Sequence, residues 1–274
     1  MGNPKRQLDP VWLGDDRGHP QFVSAAARCL TILRCFDYGD QYLGNREIAL
    51  RTGLPKPTVS RLTFTLSRMG CLSYSPAREK YALGVGLLSL GHTFMRGHPV
   101  IAAAKPLMQQ CADQTQSTVM LGAPDGMRMV LLAIASPQGG EDFGLQPGAR
   151  VPHGLTALGR ADLAARPAEL FRREMVELKE EVCQPFDWPR VRDGILRARE
   201  EVAELGYCHS LGDWCPEIYA VGVPMISRVD PDRIFSFSCG GRAEQIDRQR
   251  LQDDIAPRLL QLRDQVLEAV GGVV

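Results

Sequence analysis

The residues with the most chemical reach lie between Lys56 and Arg68, in the run K-P-T-V-S-R-L-T-F-T-L-S-R. Val59, Leu62, Leu66 and the following Met69 recur at spacings of three and four, which places them on one side of a helix. The other side then carries Ser60, Arg61, Phe64 and Arg68, with Lys56 and Thr58 near the N-terminal end. Short hydroxyls and guanidinium groups on one helical face suit base edges and phosphates, and an outward Phe64 suits a thymine methyl. A plain helical hairpin with a solvated polar face fits the same spacing.

The flanking residues supply what such a helix needs. Asn45 to Arg51 reads as a shorter helix that turns Ile48 and Ala49 inward and carries Arg46. Thr52-Gly53-Leu54-Pro55 is a tight turn, with Gly53 placed to end the first helix in a left-handed conformation. Pro55 and Pro57 fit at or before the first turn of the second helix, where a missing N–H costs little. Cys71 to Ala82 follows as two strand-like runs around Pro76-Ala77-Arg78. A basic hairpin directly after such a helix reads as a wing, with Arg78 and Lys80 at phosphate.

Three blocks in this region, S-A-A-A-R-C-L-T-I-L from Ser24, T-G-L-P-K-P-T-V-S-R-L from Thr52 and Y-A-L-G-V-G-L-L-S-L-G from Tyr81, resemble in order and spacing the winged-helix half of the IclR-type bacterial transcriptional regulators. G-A-R-V-P-H-G-L-T-A-L-G-R-A from Gly148, E-L-G-Y from Glu204 and the run from Asp213 to Pro224 resemble the effector-binding half. The likeness covers nearly everything from residue 22 onward. It implies a GAF-like or profilin-like effector domain, a phosphate contact from Arg28, and an effector pocket lined by His153, Thr156, Asp213, Cys215 and Glu217, with Met129, Ser238 and Cys239 from neighbouring strands. Two positions depart from the pattern. Pro57 replaces a small polar residue and removes a backbone donor, and Thr63 stands where a leucine is usual.

The formal net charge is zero, which would argue against nucleic acid if it were evenly spread. It is not: residues 22–97 hold ten Lys or Arg against four Asp or Glu, and residues 98–274 hold nineteen against twenty-five. A basic module joined to an acidic one suits a DNA binder with a sensor domain. None of the eight cysteines forms a C-x-x-C pair, so no zinc-finger spacing is present. The absence of a signal peptide and of a long apolar run leads to the expectation of a cytoplasmic protein without membrane association.

The chain is divided into an N-terminal tail (1–21), a winged helix-turn-helix domain (22–82), a linker helix (83–98) and an effector-binding domain (99–274). Ser24 is expected to cap a first helix reaching Asp37, with Leu30, Leu33 and Phe36 inward. The linker, rich in Leu and Gly, needs a partner surface, which points to dimerisation. Beyond it, a helix from Pro99 to Gln116 contains Pro106. A hairpin is expected around Pro124-Asp125-Gly126. A short strand at Phe143–Gln146, helices at 154–164, 167–175 and 187–205, strands at 207–211, 218–225 and 233–239, and a closing helix over 246–270 complete an α+β domain with an antiparallel sheet.

Candidate ligand chemistry gathers at two places. One is His153, Thr156 and Arg160 at the start of a helix, where unpaired N–H groups can take a carboxylate. The other is the loop from Leu211 to Glu217. Each also has a structural reading: His153 as a surface histidine, Asp213 as a turn residue, Trp214 as a packing anchor, Glu217 as a solvated edge charge and Arg160 as one half of an ion pair. Cys208, His209, Asp213, Cys215 and Glu217 include zinc-competent donors, but neighbours on a strand point to opposite faces, so no metal site is expected. Cys215 is a candidate redox-sensing thiol that lacks a cation to lower its pKa. No nucleophile–base set, phosphate loop or dinucleotide fingerprint is present, so neither a cofactor nor catalysis is expected.

The sequence therefore leads to a ligand-responsive, DNA-binding transcriptional regulator of a catabolic operon. The resemblance implies that it responds to a small organic acid, aromatic or aliphatic, and acts as a homodimer or dimer of dimers on double-stranded operator DNA, with RNA polymerase as a further partner. An enzyme acting on a small carboxylate with a fused DNA-binding module, and a structural DNA-binding protein without effector, are the alternatives.

Overall fold

The computed structural model describes residues 20–37, 39–139, 143–181, 187–230 and 233–272. The expected N-terminal tail lies outside these residues except for its last two positions, and Cys183 lies outside them as well. The chain divides into two units, Met1–Met95 and Arg96–Val274.

The smaller unit holds α1 (Ser24–Arg34), α2 (Asn45–Thr52), α3 (Lys56–Arg68), β1 (Leu72–Ser75) and β2 (Lys80–Leu83), followed by α4 (Gly86–Gly97), which runs across the division. Its core is Ile32, Cys35, Leu43, Ile48, Val59, Leu66 and Leu72. Ser24 does not cap α1: the cap position is Val23, with no side-chain hydrogen bond, and the helix stops at Arg34. The inward phase of α1 also differs from expectation. Ile32 and Cys35 are buried while Leu30 is exposed, with Leu33 and Phe36 packed at the core's margin. Residues 32 and 35 are as well spaced for a stripe as 30 and 33, so periodicity in a short helix leaves the phase open.

Local devices fix the rest of this unit. The Gly44 N–H donates to Glu47 Oε2 at 2.7 Å at the start of α2. Gly53 ends α2 at φ 66°, a left-handed conformation that glycine adopts without steric cost. The Arg51 guanidinium pairs with Asp40 and donates to the Cys35 carbonyl at 2.9 Å, so the end of α2 is tied to the end of α1. β1 and β2 pair antiparallel from Leu72↔Leu83 to Ser75↔Lys80. No residue of α4 is buried, and Leu88, Leu90 and Phe94 stand exposed.

The larger unit is a six-stranded antiparallel sheet in the order β5-β4-β3-β8-β7-β6. Its strands are β3 (Thr118–Asp125), β4 (Arg128–Ala135), β5 (Arg150–Pro152), β6 (Cys208–Leu211), β7 (Ile218–Ile226) and β8 (Ile234–Arg242). Its helices are α5 (Pro99–Thr115), α6 (Ala157–Ala165), α7 (Ala168–Glu181), α8 (Trp188–Leu205), α9 (Arg248–Arg250) and α10 (Ala256–Ala269). α6 packs on one face of the sheet with α8 behind it, and α5 and α10 pack on the other. α6 comes so close that a Cβ on Gly222 of β7 would lie 2.0 Å from the Ala157 carbonyl oxygen.

Several boundaries differ from expectation. The β3–β4 strands continue through Pro124 and Asp125, and the connection is Gly126-Met127, with Gly126 at φ 60°. The short strand lies at Arg150–Pro152 rather than 143–146, α6 begins three residues later than 154, and α7 extends to Glu181. The closing helix is interrupted by a π-helical turn at Leu251–Ile255, just before Pro257 in the first turn of α10. Proline has no N–H to give the preceding turn, so the ladder shifts register there.

Candidate functional site

The smaller unit presents α3 with Val59, Thr63 and Leu66 buried and Lys56, Ser60, Arg61, Phe64 and Arg68 exposed on the other side. Thr58 is half-buried at the N-terminal end. Met69, expected on the inner stripe, is exposed beyond the end of the helix, and Thr63 takes an inner place instead. The Thr63 hydroxyl lies 3.2 Å from Asn45 Oδ1 and 3.2 Å from the Ser60 carbonyl oxygen, so its burial leaves it partnered. Thr63 therefore sits in the α2–α3 contact rather than on the exposed face. The Arg68 guanidinium lies 5.9 Å from the Phe64 ring centroid, leaving an aromatic and a cation side by side on the surface.

Arg28 on α1 and Arg46 on α2 are exposed. In the wing, Arg78 is exposed and its guanidinium lies 4.7 Å from the Tyr42 ring centroid. Lys80 is more committed: its Nζ lies 2.9 Å from Glu47 Oε2 and staples β2 to α2. The Gly44 N–H and then Lys80 hold the Glu47 carboxyl below its usual range.

The larger unit contains a cavity of about 350 Å³ between α6, the loop before β7, the segment before β5 and the α6-facing side of the sheet. Met120, Phe143, Leu145, Val151, Leu158, Trp214 and Ile218 give it apolar and aromatic walls. Thr118, Thr156, Ser210 and Ser238 bring hydroxyls, and Glu217 and Arg242 bring charge. Most of the hydroxyls are already used. Thr156 caps α6 by accepting from the Gly159 N–H at 3.1 Å and donates to the Pro152 carbonyl at 2.8 Å. Ser210 donates to the Leu155 carbonyl at 3.0 Å, and Thr118 lies 3.2 Å from the Ser136 hydroxyl. The Ser238 hydroxyl lines the cavity with no hydrogen-bond partner among the described residues.

Of the residues expected at an effector pocket, the cavity brings together Thr156, Cys215, Glu217 and Ser238. The other four lie elsewhere. Met129 is wholly buried in a core cluster with Leu131, Val151 and Leu158. His153 is buried rather than on a surface loop, with Nε2 2.7 Å from Asp162 Oδ2. Asp162 also pairs with Arg166 at 3.1 Å, and Arg166 lies 3.6 Å from Glu174, so this network joins the approach to α6 with α7. Burial pushes the Glu174 carboxyl up, against the pull of Arg166.

Asp213 turns away from the cavity to accept from Arg160 Nη1 at 2.8 Å and from the Leu211 N–H at 3.2 Å. Burial opposes ionisation of Asp213, but Arg160 and these hydrogen bonds prevail and hold it below the usual carboxylate range. Arg160 is 2 % exposed, and its Nε donates to the Gly154 carbonyl at 3.1 Å. It fits because α8 carries Gly194 opposite, where a Cβ would sit 2.2 Å from Nη2. Cys239 lies on the opposite face of β8 against α5, 3.7 Å from Thr115 Oγ1, where a hydrogen bond with Cys111 and then burial push its thiol up.

Among the described residues no group of three or more His, Cys, Asp or Glu could hold a metal ion. Cys208 is wholly buried with its thiol pushed up to about 12, chiefly by burial, while His209 faces Glu201 at 3.2 Å. No helix of the described residues is long and apolar enough to cross a membrane. Sequence reasoning missed Thr118, Ser210 and Arg242 as cavity residues. The signal available was the two-residue alternation of β8, which puts Arg242 on the same face as Ser238.

Comparison with known proteins bears on both units. Residues 25–76 match the IclR helix-turn-helix domain, and residues 92–266 match the C-terminal domain of the bacterial transcriptional regulator IclR. The chain is 31% identical over 243 residues to the HTH-type transcriptional regulator TsaQ1/TsaQ2 of Comamonas testosteroni, covering 88% of this chain and 86% of that one. It is 26% identical over 194 residues to the Pca regulon regulatory protein of Pseudomonas putida, covering 70% and 65% of the two chains. The crystal structure of an IclR family transcriptional regulator from Brucella abortus superposes with a TM-score of 0.85 at 36% identity, covering 98% of this chain and 100% of that one. The matched families and relatives are transcriptional regulators, not enzymes. With matched domains in both units, the chain belongs to the IclR family of bacterial transcriptional regulators.

Proposed function

We propose that this regulator controls a catabolic operon by binding operator DNA through α3 and the wing, and that a small organic acid with an aromatic or similarly flat apolar body, held in the cavity of the larger unit, modulates that binding. The observation that carries the DNA reading is the exposed row Lys56, Ser60, Arg61, Phe64 and Arg68 on a helix whose other side is buried. Lys56, Thr58, Ser60, Arg61 and Phe64 meet base edges and phosphates in the major groove. Arg28, Arg46, Arg78 and Lys80, whose ammonium is shared with Glu47, flank them at the phosphate backbone. The apolar walls from Phe143, Leu145 and Trp214 support the effector class. The exposed Leu88, Leu90 and Phe94 of α4 support a homodimer or dimer of dimers, with operator half-sites spaced by whole helical turns.

The test is fluorescence anisotropy with the promoter next to the protein's own gene, across a salt series. Binding is expected to weaken steeply with salt and to be lost in the Lys56→Ala, Arg61→Ala double variant. Equal binding of promoter and random DNA by the wild type, together with no preferred site in a genomic pull-down, would overturn the reading.

A further inference from the structure

The cavity has one cation and one anion in its described lining, Arg242 and Glu217, and they are paired with each other. Arg242 Nη1 lies 3.3 Å from Glu217 Oε2, and the two side chains are 41% and 77% exposed. An ion pair that open to water contributes little and exchanges partners readily. The backbone beneath it is fixed, because Arg242 faces Ile218 across the β7–β8 ladder and the Ala243 N–H donates to the Glu217 carbonyl at 2.8 Å. The side chains can therefore change partners without the strands moving.

Arg160, a second cation near this site, is not available to a ligand. The Arg160 side chain turns from α6 toward Gly194 of α8, held by Asp213 and the Gly154 carbonyl. An acid entering the cavity thus has Arg242 as its counter-charge. Along β8, Ser238, Gly240 and Arg242 share the cavity face, so the unpartnered Ser238 hydroxyl and the Arg242 backbone are separated by about 13 Å of strand. Thr118 and Ala220 flank Gly240 in the neighbouring strands and keep the floor between them low.

We propose that Arg242 and Glu217 form an exchangeable charge gate at this cavity. The ligand's carboxylate replaces Glu217 on Arg242, its flat apolar body lies over the low row, and a hydrogen-bonding group at its far end meets Ser238. Glu217 competes for Arg242 and so sets how strongly acids are preferred over neutral molecules of the same shape. This rests on the effector-cavity reading above.

The experiment titrates the full-length wild type, Arg242→Gln and Glu217→Gln by isothermal calorimetry with 4-hydroxybenzoate and with 4-hydroxybenzamide, its neutral counterpart. The wild type is expected to bind the acid more tightly than the amide. Arg242→Gln is expected to lose about ten- to a hundredfold in acid affinity, the usual effect of removing a hydrogen bond to a charged group, with amide affinity little changed. Glu217→Gln is expected to tighten acid binding and widen the preference. The acid-to-amide ratio is unaffected by a simple loss of folded protein, which lowers the stoichiometry, or both apparent affinities alike. A ratio in Arg242→Gln equal to the wild type's, or weaker acid binding in Glu217→Gln, would overturn the gate and leave the cavity reading standing. No binding of either probe by any of the three proteins would overturn the gate and the aromatic-acid reading together.

Discussion

Replacing Asp213 by Ala tests the central ion pair of the larger unit. Arg160 is 2 % exposed, and its partner's carboxylate is only 16% exposed. Removing that carboxylate leaves a buried guanidinium with the Gly154 carbonyl as its remaining acceptor among the described residues. Breaking a buried pair by deleting one partner costs on the order of 3–5 kcal/mol. The partial exposure of Asp213 favours the lower end, about 3 kcal/mol, which corresponds to roughly 6–12 °C in unfolding temperature for a unit of this size.

Urea unfolding followed by tryptophan fluorescence reads this directly, since Trp188 and Trp214 both lie in the larger unit. The double variant Arg160→Met, Asp213→Ala should be more stable than Asp213→Ala alone, because it removes the stranded charge as well. The sign with pH follows from the lowered Asp213 pKa. The carboxylate's contribution is complete above the ordinary aspartate value of about 3.9 and is lost as pH falls through the depressed folded value. The gap between wild type and Asp213→Ala should therefore persist from neutral pH to about pH 4 and close only in stronger acid. A gap under about 1 kcal/mol at neutral pH, or a double variant no more stable than the single one, would show that the pair does not carry this load.

Two further predictions concern other parts of the chain. Gly53→Ala has open space for its Cβ but must adopt φ 66°, so it should destabilise the smaller unit by about 1–2 kcal/mol in thermal unfolding while leaving salt-dependent DNA binding of the folded protein intact. Glu174→Gln should be neutral or stabilising at pH 7.5: burial raises the native carboxyl, so ionising it opposes folding at pH values above its folded pKa. That advantage should shrink as pH falls through the raised value, and a variant that loses its stability at neutral pH instead would show that the Glu174 charge supports the Arg166 network.

Much of the smaller unit was legible in the residues themselves because its determinants are local. Gly53 in a left-handed turn, Pro55 and Pro57 at the cap and in the first turn of α3, and a basic polar side opposite an apolar stripe all depend on neighbours within a few positions. Even there, the phase of α1 and the exchange of Met69 for Thr63 in the core escaped, because α2 and α3 choose which of two adequate stripes is covered.

The larger unit shows the converse. The strands and helices could be read from periodicity, but which side of β8 faces the cavity is set by α6 packing on one face and α5 on the other. That choice put Ser238 and Arg242 in the cavity and Cys239 against Cys111. His153, Asp213 and Arg160 were recognised as chemically capable, yet their partners are nine and 53 positions distant in the chain. Burial commits a charge to whatever partner the fold brings near, and residue type carries no record of that partner. The sequence by itself determined a basic helix-turn-helix joined to an α+β domain. Which polar side chains remain open to a ligand was decided by long-range packing, because each such group is either consumed by a buried partner or left facing the cavity.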